Sequence, residues 1–252
     1  IPAMPGRRQP KRPLVVIGTP TGGGCHPDFV LSLLDTHRLF ASHGIGIFWL
    51  HWCGDSLVPR ARNNIAAMAL ANPDATHILW IDDDIGWQPE DALRLLMHGT
   101  DFVVGLCPRR DGRARPPVER FVFNPLDTGS NKAPIDPQTG LLEVSAGGTG
   151  FMLTARTVFE RMAEAYPEAK IRVSDDPDDH ILNAALPWLH NYFPLYVEHG
   201  RYQSEDYAFS HRWRALGGKV LADPTIQLRH YGQTFYAGDP MSMFQPIPKS
   251  AA

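Results

Sequence analysis

Three consecutive carboxylates, Asp82, Asp83 and Asp84, close the apolar run Ile78-Leu79-Trp80-Ile81 and are followed by Ile85. A run this short and this apolar predicts a fully buried strand. In open α/β sheets, ligands bind in the crevice beyond the carboxyl ends of the strands, so the carboxylates fall where a ligand would sit. Side chains alternate along an extended backbone, which places Asp82 and Asp84 on one side and Asp83 on the other. Two carboxylates on one side repel unless a cation or a cluster of donors compensates. An oxygen-preferring divalent ion meets that need. The plain alternative is a solvated acidic turn.

Other residues have types and positions suited to chemistry. Pro59-Arg60-Ala61-Arg62-Asn63 opens a helical pattern near Val58 to Ala71, with the stripe Val58, Arg62, Ile65, Ala66 and Ala69. An arginine on an inward face near a helix start is either paired with a buried carboxylate or placed to meet an anion. Glu205 and Asp206 follow Ser204 at the start of a later helix through Phe209, Trp213 and Leu216, which Gly217-Gly218 ends. Taken alone, they are ordinary first-turn acids behind an N-cap. His230 lies near the end of the last predicted strand, Ile226 to Gly232.

These residues need elements to position them. Leu14 to Gly18 predicts a buried first strand, and Thr19-Pro20-Thr21-Gly22-Gly23-Gly24 follows it. A glycine-rich loop there suggests phosphate or nucleotide contact, although it matches neither the Walker pattern nor GxGxxG; a flexible turn is the alternative. Asp28 is expected to cap a helix with Val30, Leu33 and Leu34 on one face. Ile45 to Trp52 is a second strand. Pro89 opens a helix with Leu93, Leu96 and Met97 toward the core and Gly99 at its end. Asp101 to Leu106 is another buried strand. The order so far is β-α-β-α-β-α-β, which predicts crossover helices and parallel pairing.

Residues 108–140 resemble an insertion, with Arg109, Arg110, Arg113 and Arg115, and Phe121-Val122-Phe123 as a short edge strand. The arginines could favour an anionic acceptor or simply form a solvated loop. Leu141 to Val144 is a strand leading into Ala146-Gly147-Gly148-Thr149-Gly150-Phe151. Its glycines imply close backbone approach to a ligand or another strand. Arg156 to Ala165 is a helix, and Lys219 to Ala222 a strand. The Asp175-Asp176-Pro177-Asp178-Asp179-His180 string lacks EF-hand spacing, so a solvated loop or a lid is expected. Residues 1–12 carry Arg7, Arg8, Lys11 and Arg12 among prolines, and read as a disordered lead-in or an anionic-surface tether.

Composition narrows the class. The 252 residues are 43% hydrophobic, enough for a sizeable core, and the formal net charge of −3 argues against a polyanion binder. Cys25, Cys53 and Cys107 form neither a disulfide framework nor a zinc pattern, which fits a reducing compartment. No apolar run reaches membrane-span length and no signal peptide is visible, so a cytoplasmic location is expected.

Taken in order, these features resemble the GT-A fold glycosyltransferases with a DxD motif, of the family 2-like kind. The resemblance spans roughly residues 13–235 and rests on Thr19-Pro20-Thr21, the Arg60–Asn63 helix start, Ile81-Asp82-Asp83-Asp84, Gly148-Thr149-Gly150-Phe151-Met152, Ser204-Glu205-Asp206 and His230. It implies an α/β fold, a GT-A-like Rossmann-type mixed sheet with helices on both faces. Residues 13–107 would form the nucleotide-binding half, 108–235 the acceptor half and 236–252 an irregular tail. Thr19, Pro20 and Thr21 would line the nucleoside pocket, with Arg62 on base or diphosphate. Asp82 would reach the ribose or a metal-bound water. Asp83 could replace the Asp82/Asp84 register. Asp84 and His230 would bind Mn²⁺ or Mg²⁺, Gly148 and Thr149 would lie near the acceptor or the donor sugar, and Glu205-Asp206 would supply the general base through Asp206. The donor would be a nucleotide-diphosphate sugar, and the acceptor class is open: glycan, lipid, protein or nucleic acid.

Three other readings use the same residues. A haloacid-dehalogenase-type phosphatase also ends a strand in DxD, but continues with Gly-Thr or Gly-Val where this chain has Ile85-Gly86, and needs its first strand there. A nucleotidyltransferase normally has a richer Gly-Arg-Lys loop after its first strand. A catalytically silent nucleotide-binding module would not need Asp82, Asp84, Glu205, Asp206 and His230 together.

Overall fold

The computed structural model describes residues 12–110, 117–126, 135–172, 183–232 and 235–244. In chain order the elements are β1 (Leu14–Thr21), α1 (Pro27–Ser42), β2 (Gly46–Cys53), α2 (Val58–Ala71), β3 (His77–Ile81), β4 (Ile85–Gly86), α3 (Pro89–Met97), β5 (Phe102–Gly105), β6 (Phe123–Pro125), β7 (Leu142–Gly147), β8 (Phe151–Ala155), α4 (Arg156–Ala165), β9 (Tyr196–Glu198), β10 (Arg201–Gln203), α5 (Glu205–Ala215), β11 (Val220–Asp223), β12 (Arg229–Tyr231) and β13 (Phe235–Ala237).

Eight strands form one sheet in the order β2-β1-β3-β8-β5-β11-β7-β6. β1 is parallel to β2 and β3, and β11 is parallel to β5. β8 runs antiparallel to both β3 and β5, and β7 antiparallel to β11. The purely parallel pairing suggested by the first half of the chain is therefore broken by β8. It enters between β3 and β5 from a glycine-rich connection rather than from a crossover helix. A small second sheet, β13-β12-β4, is placed directly after the acidic run. The architecture is α/β, an eight-stranded mixed sheet with helices on both faces.

Strand alternation explains the two faces. Val16, Ile78, Trp80, Val104 and Met152 pack with Ile65 and Ala66 of α2, Phe159 of α4 and Phe209 and Trp213 of α5. Val15, Ile17, Leu79, Ile81, Val103 and Leu153 pack with Phe29 and Leu33 of α1 and Ala92 and Leu95 of α3. Each Val, Leu, Ile, Phe or Met among them, fully buried, contributes about 1.5–3 kcal/mol. Trp80 is wholly buried, with Phe193 edge-on at 5.1 Å.

Gly18 lets α2 approach β1. A methyl group there would lie 2.7 Å from Ile65 Cγ2 and 3.2 Å from the Trp80 ring. Gly18→Ala is expected to cost about 1–3 kcal/mol, read as a lower urea midpoint with an unchanged slope. An unaltered midpoint would show that α2 can back away freely.

Several expectations shift. β1 continues past Gly18 to Thr21, because it stays in register with β2 through Thr21↔Cys53. His26, not Asp28, is the N-cap of α1; its Nδ1 accepts from Asp28 N at 3.2 Å. Val30 and Leu34 are exposed, and Phe29, Leu33 and Phe40 are buried instead. The Phe29 ring packs against Trp49 and Trp87, which sets the rotation of the helix. On α3, Ala92 and Leu95 are buried, Leu93 and Leu96 are partly buried, and Met97 is 74% exposed. The edge strand β6 begins two residues late, after Phe121 bridges Pro108. Ile226 and Leu228 are buried but precede β12, which pairs with β4 rather than joining the main sheet. The lead-in through residue 11, Arg113, Arg115 and the 175–180 string lie outside the described residues. No helix among the described residues is long and apolar enough to cross a membrane.

Candidate active site at the end of strand β3

The acidic run is a turn, not a continued strand. β3 stops at Ile81, and Ile85 N donates to Asp82 O at 3.1 Å. Two neighbours pin its backbone: His26 N donates to Asp83 O and Tyr231 N to Asp84 O, both at 2.8 Å. The three side chains then reach different partners. Asp83 accepts hydrogen bonds from the Thr21 side chain and Gly22 N; burial raises its pKa, and the charges of Asp84 and Asp82 add to the rise. Asp82 and Asp84 both lie within electrostatic reach of buried Cys107, whose thiol burial pushes far up.

Asp82 leads to a buried charge cluster. Arg62, 3% exposed, donates from Nη2 to Asp82 Oδ1 at 2.9 Å, and its Nε lies 3.6 Å from Glu205 Oε1. Of the two alternatives for this arginine, carboxylate pairing is the one found. Its Nε and Nη1 are buried without a hydrogen-bond partner among the described residues, although Nε lies in ion-pair range of Glu205. Burial would lower the Arg62 pKa, but Asp82 and Glu205 outweigh it and the net direction is upward. Asn63 fastens this helix start by donating to Asn191 Oδ1 at 3.1 Å and accepting from Phe193 N at 3.2 Å.

Glu205 and Asp206 open α5 beside Arg62. Burial raises the pKa of both, and Arg62 pulls each back only in part. Asp206 Oδ1 accepts from Ser204 Oγ and, at 2.8 Å, from Tyr207 N. Among the described residues, Oδ2 is the oxygen left over. It faces Gly148, where an added methyl would lie 3.7 Å from it and 3.1 Å from Val122 Cγ1. At Gly150, a methyl would lie 2.8 Å from Cys107 Sγ and 3.5 Å from Asp82 Oδ2. The close approach implied by these glycines is real, and the groups that approach are Val122, Cys107 and the two carboxylates.

Asp84 leads to a second centre. Its Oδ1 lies 3.4 Å from His230 Nε2, and its Oδ2 accepts from Arg110 Nη1. His230 Nδ1 is 2.8 Å from Pro108 O. A carbonyl can only accept, so Nδ1 carries a hydrogen, and Nε2 is turned toward Asp84; burial alone would lower the pKa of His230, but Asp84 and the Pro108 carbonyl outweigh it and the net direction is upward. That is how a metal-ligating imidazole is oriented by its outer partner. A carboxylate oxygen and an imidazole nitrogen suit a borderline divalent ion. No group of three or more His, Cys, Asp or Glu residues able to hold a metal occurs among the described residues, so an ion here would draw its remaining ligands from substrate and water.

The other candidate residues surround these two centres. Thr19 is fully buried and accepts from Trp49 Nε1 at 3.1 Å. Pro20 is half-buried, and Thr21 Oγ1 accepts from Gly24 N at 3.1 Å. Thr149 is buried between Gly148 and Gly150. Sequence reasoning missed the parts played by Arg110 and Trp49, whose partners are distant in the chain. The cavity lined by Arg12, Leu14, Ile45 and Asp74 lies at the amino ends of β1 and β2, away from this site.

No protein-family model and no curated protein matches the chain. Among solved structures, A197 from STIV is similar with a TM-score of 0.48 and 18% identity, over 91% of this chain and 90% of that one. A glycosyltransferase involved in the glycosylation of the major capsid of PBCV-1 is similar with a TM-score of 0.29 and 9% identity, over 61% of this chain and 67% of that one. A Bacillus anthracis protein assigned as a glucose-1-phosphate thymidylyltransferase, solved in complex with a sucrose, gives 0.30 and 12%, over 65% and 80%.

Proposed function

We propose that this protein is a metal-dependent glycosyltransferase that moves a sugar from a nucleoside-diphosphate donor to an acceptor hydroxyl with inversion. One arrangement carries the reading. A single strand end sends Asp82 to a buried Arg62–Glu205–Asp206 cluster and Asp84 to His230, with a glycine shelf at Gly148 and Gly150 beside them. Such a site separates a proton acceptor from a place for an anionic leaving group.

In the proposed step, the acceptor oxygen bonds to the anomeric carbon as the bond from that carbon to the diphosphate breaks. The hydroxyl proton passes to Asp206 Oδ2, and the electron pair of the broken bond leaves with the nucleoside diphosphate. Burial raises the basicity of the Asp206 carboxylate, which suits it to take that proton. Pro20, Thr21 and Asp83 would border the nucleoside side, and Thr19, fully buried against Trp49, supports them. Arg62, whose Nη1 has no hydrogen-bond partner among the described residues, would offset part of the charge that develops. Asp84 and His230 would hold Mn²⁺, which when bound offsets the charge growing on the diphosphate. Gly148 and Thr149 leave room for the sugar or the acceptor.

Thermal unfolding with UDP, GDP, CDP and ADP, each with and without Mn²⁺, tests the reading. A ligand at 100 times its Kd stabilises by about 2.7 kcal/mol, or roughly 5–10 °C for a chain of this size. One nucleotide is expected to give that shift only when Mn²⁺ is present. A shift with Mg²⁺ and a phosphate mimic, but with no nucleotide, would instead mark a phosphatase. Asp84→Ala is expected to abolish the Mn²⁺-dependent part of the shift, and a full shift in that variant would refute the metal assignment.

A further inference from the structure

The Asp84–His230 centre already holds a cation. Arg110 Nη1 contacts Asp84 Oδ2 and donates to Tyr231 O at 3.1 Å. Asp84 Oδ1 faces His230 Nε2, so both oxygens of this carboxylate are engaged. We propose that Arg110 is a latch on the ion position: it holds Asp84 while the site is empty, and a nucleoside diphosphate draws it off, so that the nucleotide and the divalent ion bind cooperatively. This inference rests on the reading of the site given above.

Three observations support it. A guanidinium and a divalent ion compete for the same carboxylate, because each like charge disfavours the other at this range. The Arg110 side chain is 48% exposed, and an arginine–carboxylate pair at that exposure is weak enough to exchange. A diphosphate offers the guanidinium a more highly charged partner with the spacing its planar fork prefers. The pivot of the swing is fixed as well. Pro108 bridges Phe121, Arg109 N donates to Arg120 O at 2.6 Å, and Pro108 O holds His230 Nδ1 at 2.8 Å. The backbone that carries Arg110 is thereby tied to the same histidine that flanks Asp84, while the guanidinium alone is free to change partner. Arg109 points elsewhere, donating from Nε to Glu119 O at 2.9 Å.

Mn²⁺ binding to the full chain, followed by the electron-spin signal of the free ion, tests the latch independently of turnover. The probes are Mn²⁺ alone and Mn²⁺ with inorganic pyrophosphate, which carries the diphosphate without committing to a base. The proteins are the unsubstituted chain, Arg110→Gln and, as a control for loss of a nearby charge, Arg109→Gln. Arg110→Gln is expected to bind Mn²⁺ alone about tenfold more tightly than the unsubstituted chain. The gain produced by pyrophosphate should shrink by a similar factor, and comparing proteins cancels the complex formed in solution. Arg109→Gln should change Mn²⁺ affinity less than twofold. If Arg110→Gln leaves Mn²⁺ affinity unchanged or weaker while the unsubstituted chain binds Mn²⁺ with pyrophosphate, the latch is wrong and the site reading stands. An equal gain in Arg109→Gln also overturns the latch. No Mn²⁺ binding by any protein, with or without pyrophosphate, overturns both.

Discussion

Asp206→Asn is expected to lower sugar transfer by about 10²–10⁴-fold, the usual contribution of a positioned general base, and to leave Mn²⁺-dependent nucleotide binding within about twofold. The asparagine keeps the shape and the contacts of Oδ1 with Ser204 and Tyr207, and removes only the ability of Oδ2 to take a proton. Single-turnover transfer and nucleotide titration, measured on the same preparation, separate the two effects. A variant with full transfer activity would rule Asp206 out as the base.

The same substitution has a stability signature whose sign follows from linkage. Burial raises the folded-state pKa of Asp206 above its unfolded value. The stability tied to its proton is therefore full below the unfolded pKa and is lost as pH rises through the folded pKa. At neutral pH the unsubstituted protein carries that loss and the asparagine variant does not. Asp206→Asn should be the more stable protein at pH 7, by roughly 0.5–2 kcal/mol, as is common when an active-site strain is relieved. The gap should close as pH falls through the raised pKa. Transfer by the unsubstituted enzyme should climb as pH rises through that same interval and the base ionises.

Arg62→Met is expected to destabilise the fold by about 3–5 kcal/mol, the cost of leaving buried charge without its partner. Arg62 is the cation that pairs with Asp82 and lies beside Glu205, and it also lowers the pKa of Asp206. Without it, three carboxylates face one another around α2 and α5. The loss should show as a lower urea midpoint and should be smaller in acid, where Glu205 and Asp206, both with raised pKa values, take up protons. Adding Glu205→Gln to Arg62→Met should recover part of the loss, because it removes one of the unpaired charges. A cost below about 1 kcal/mol would place the variant among ordinary substitutions and show that the cluster does not depend on its arginine.

Helices and strands were legible wherever a face is plainly patterned. α2 spans Val58–Ala71 and α4 Arg156–Ala165, as periodicity predicts, since a stripe at helical spacing must be buried wherever the helix lies. The rotations of α1 and α3 differ from what local periodicity predicts, because Leu34 and Met97 are apolar residues that the fold leaves exposed. What buries Phe29 in preference to Leu34 is Trp49 on β2 and Trp87 after β4, and no local pattern contains those partners.

The site divides the same way. The sequence by itself determined that three carboxylates end a buried strand, that an arginine sits on the inward face of the preceding helix, and that a glycine-rich run after the strand from Leu141 allows close backbone approach. Those are properties of residue type and short-range spacing. Tertiary structure alone decided the partners: Asp82 with Arg62 and near Glu205 and Asp206, and Asp84 with His230 and Arg110. These pairs join residues tens to more than a hundred positions apart. They meet only because β8 inserts antiparallel beside β3 and because β12 leaves the main sheet to pair with β4. Periodicity reports which side of an element is buried. Which charges share that buried space depends on how the strands are ordered, and there the balance of desolvation and pairing sets the chemistry.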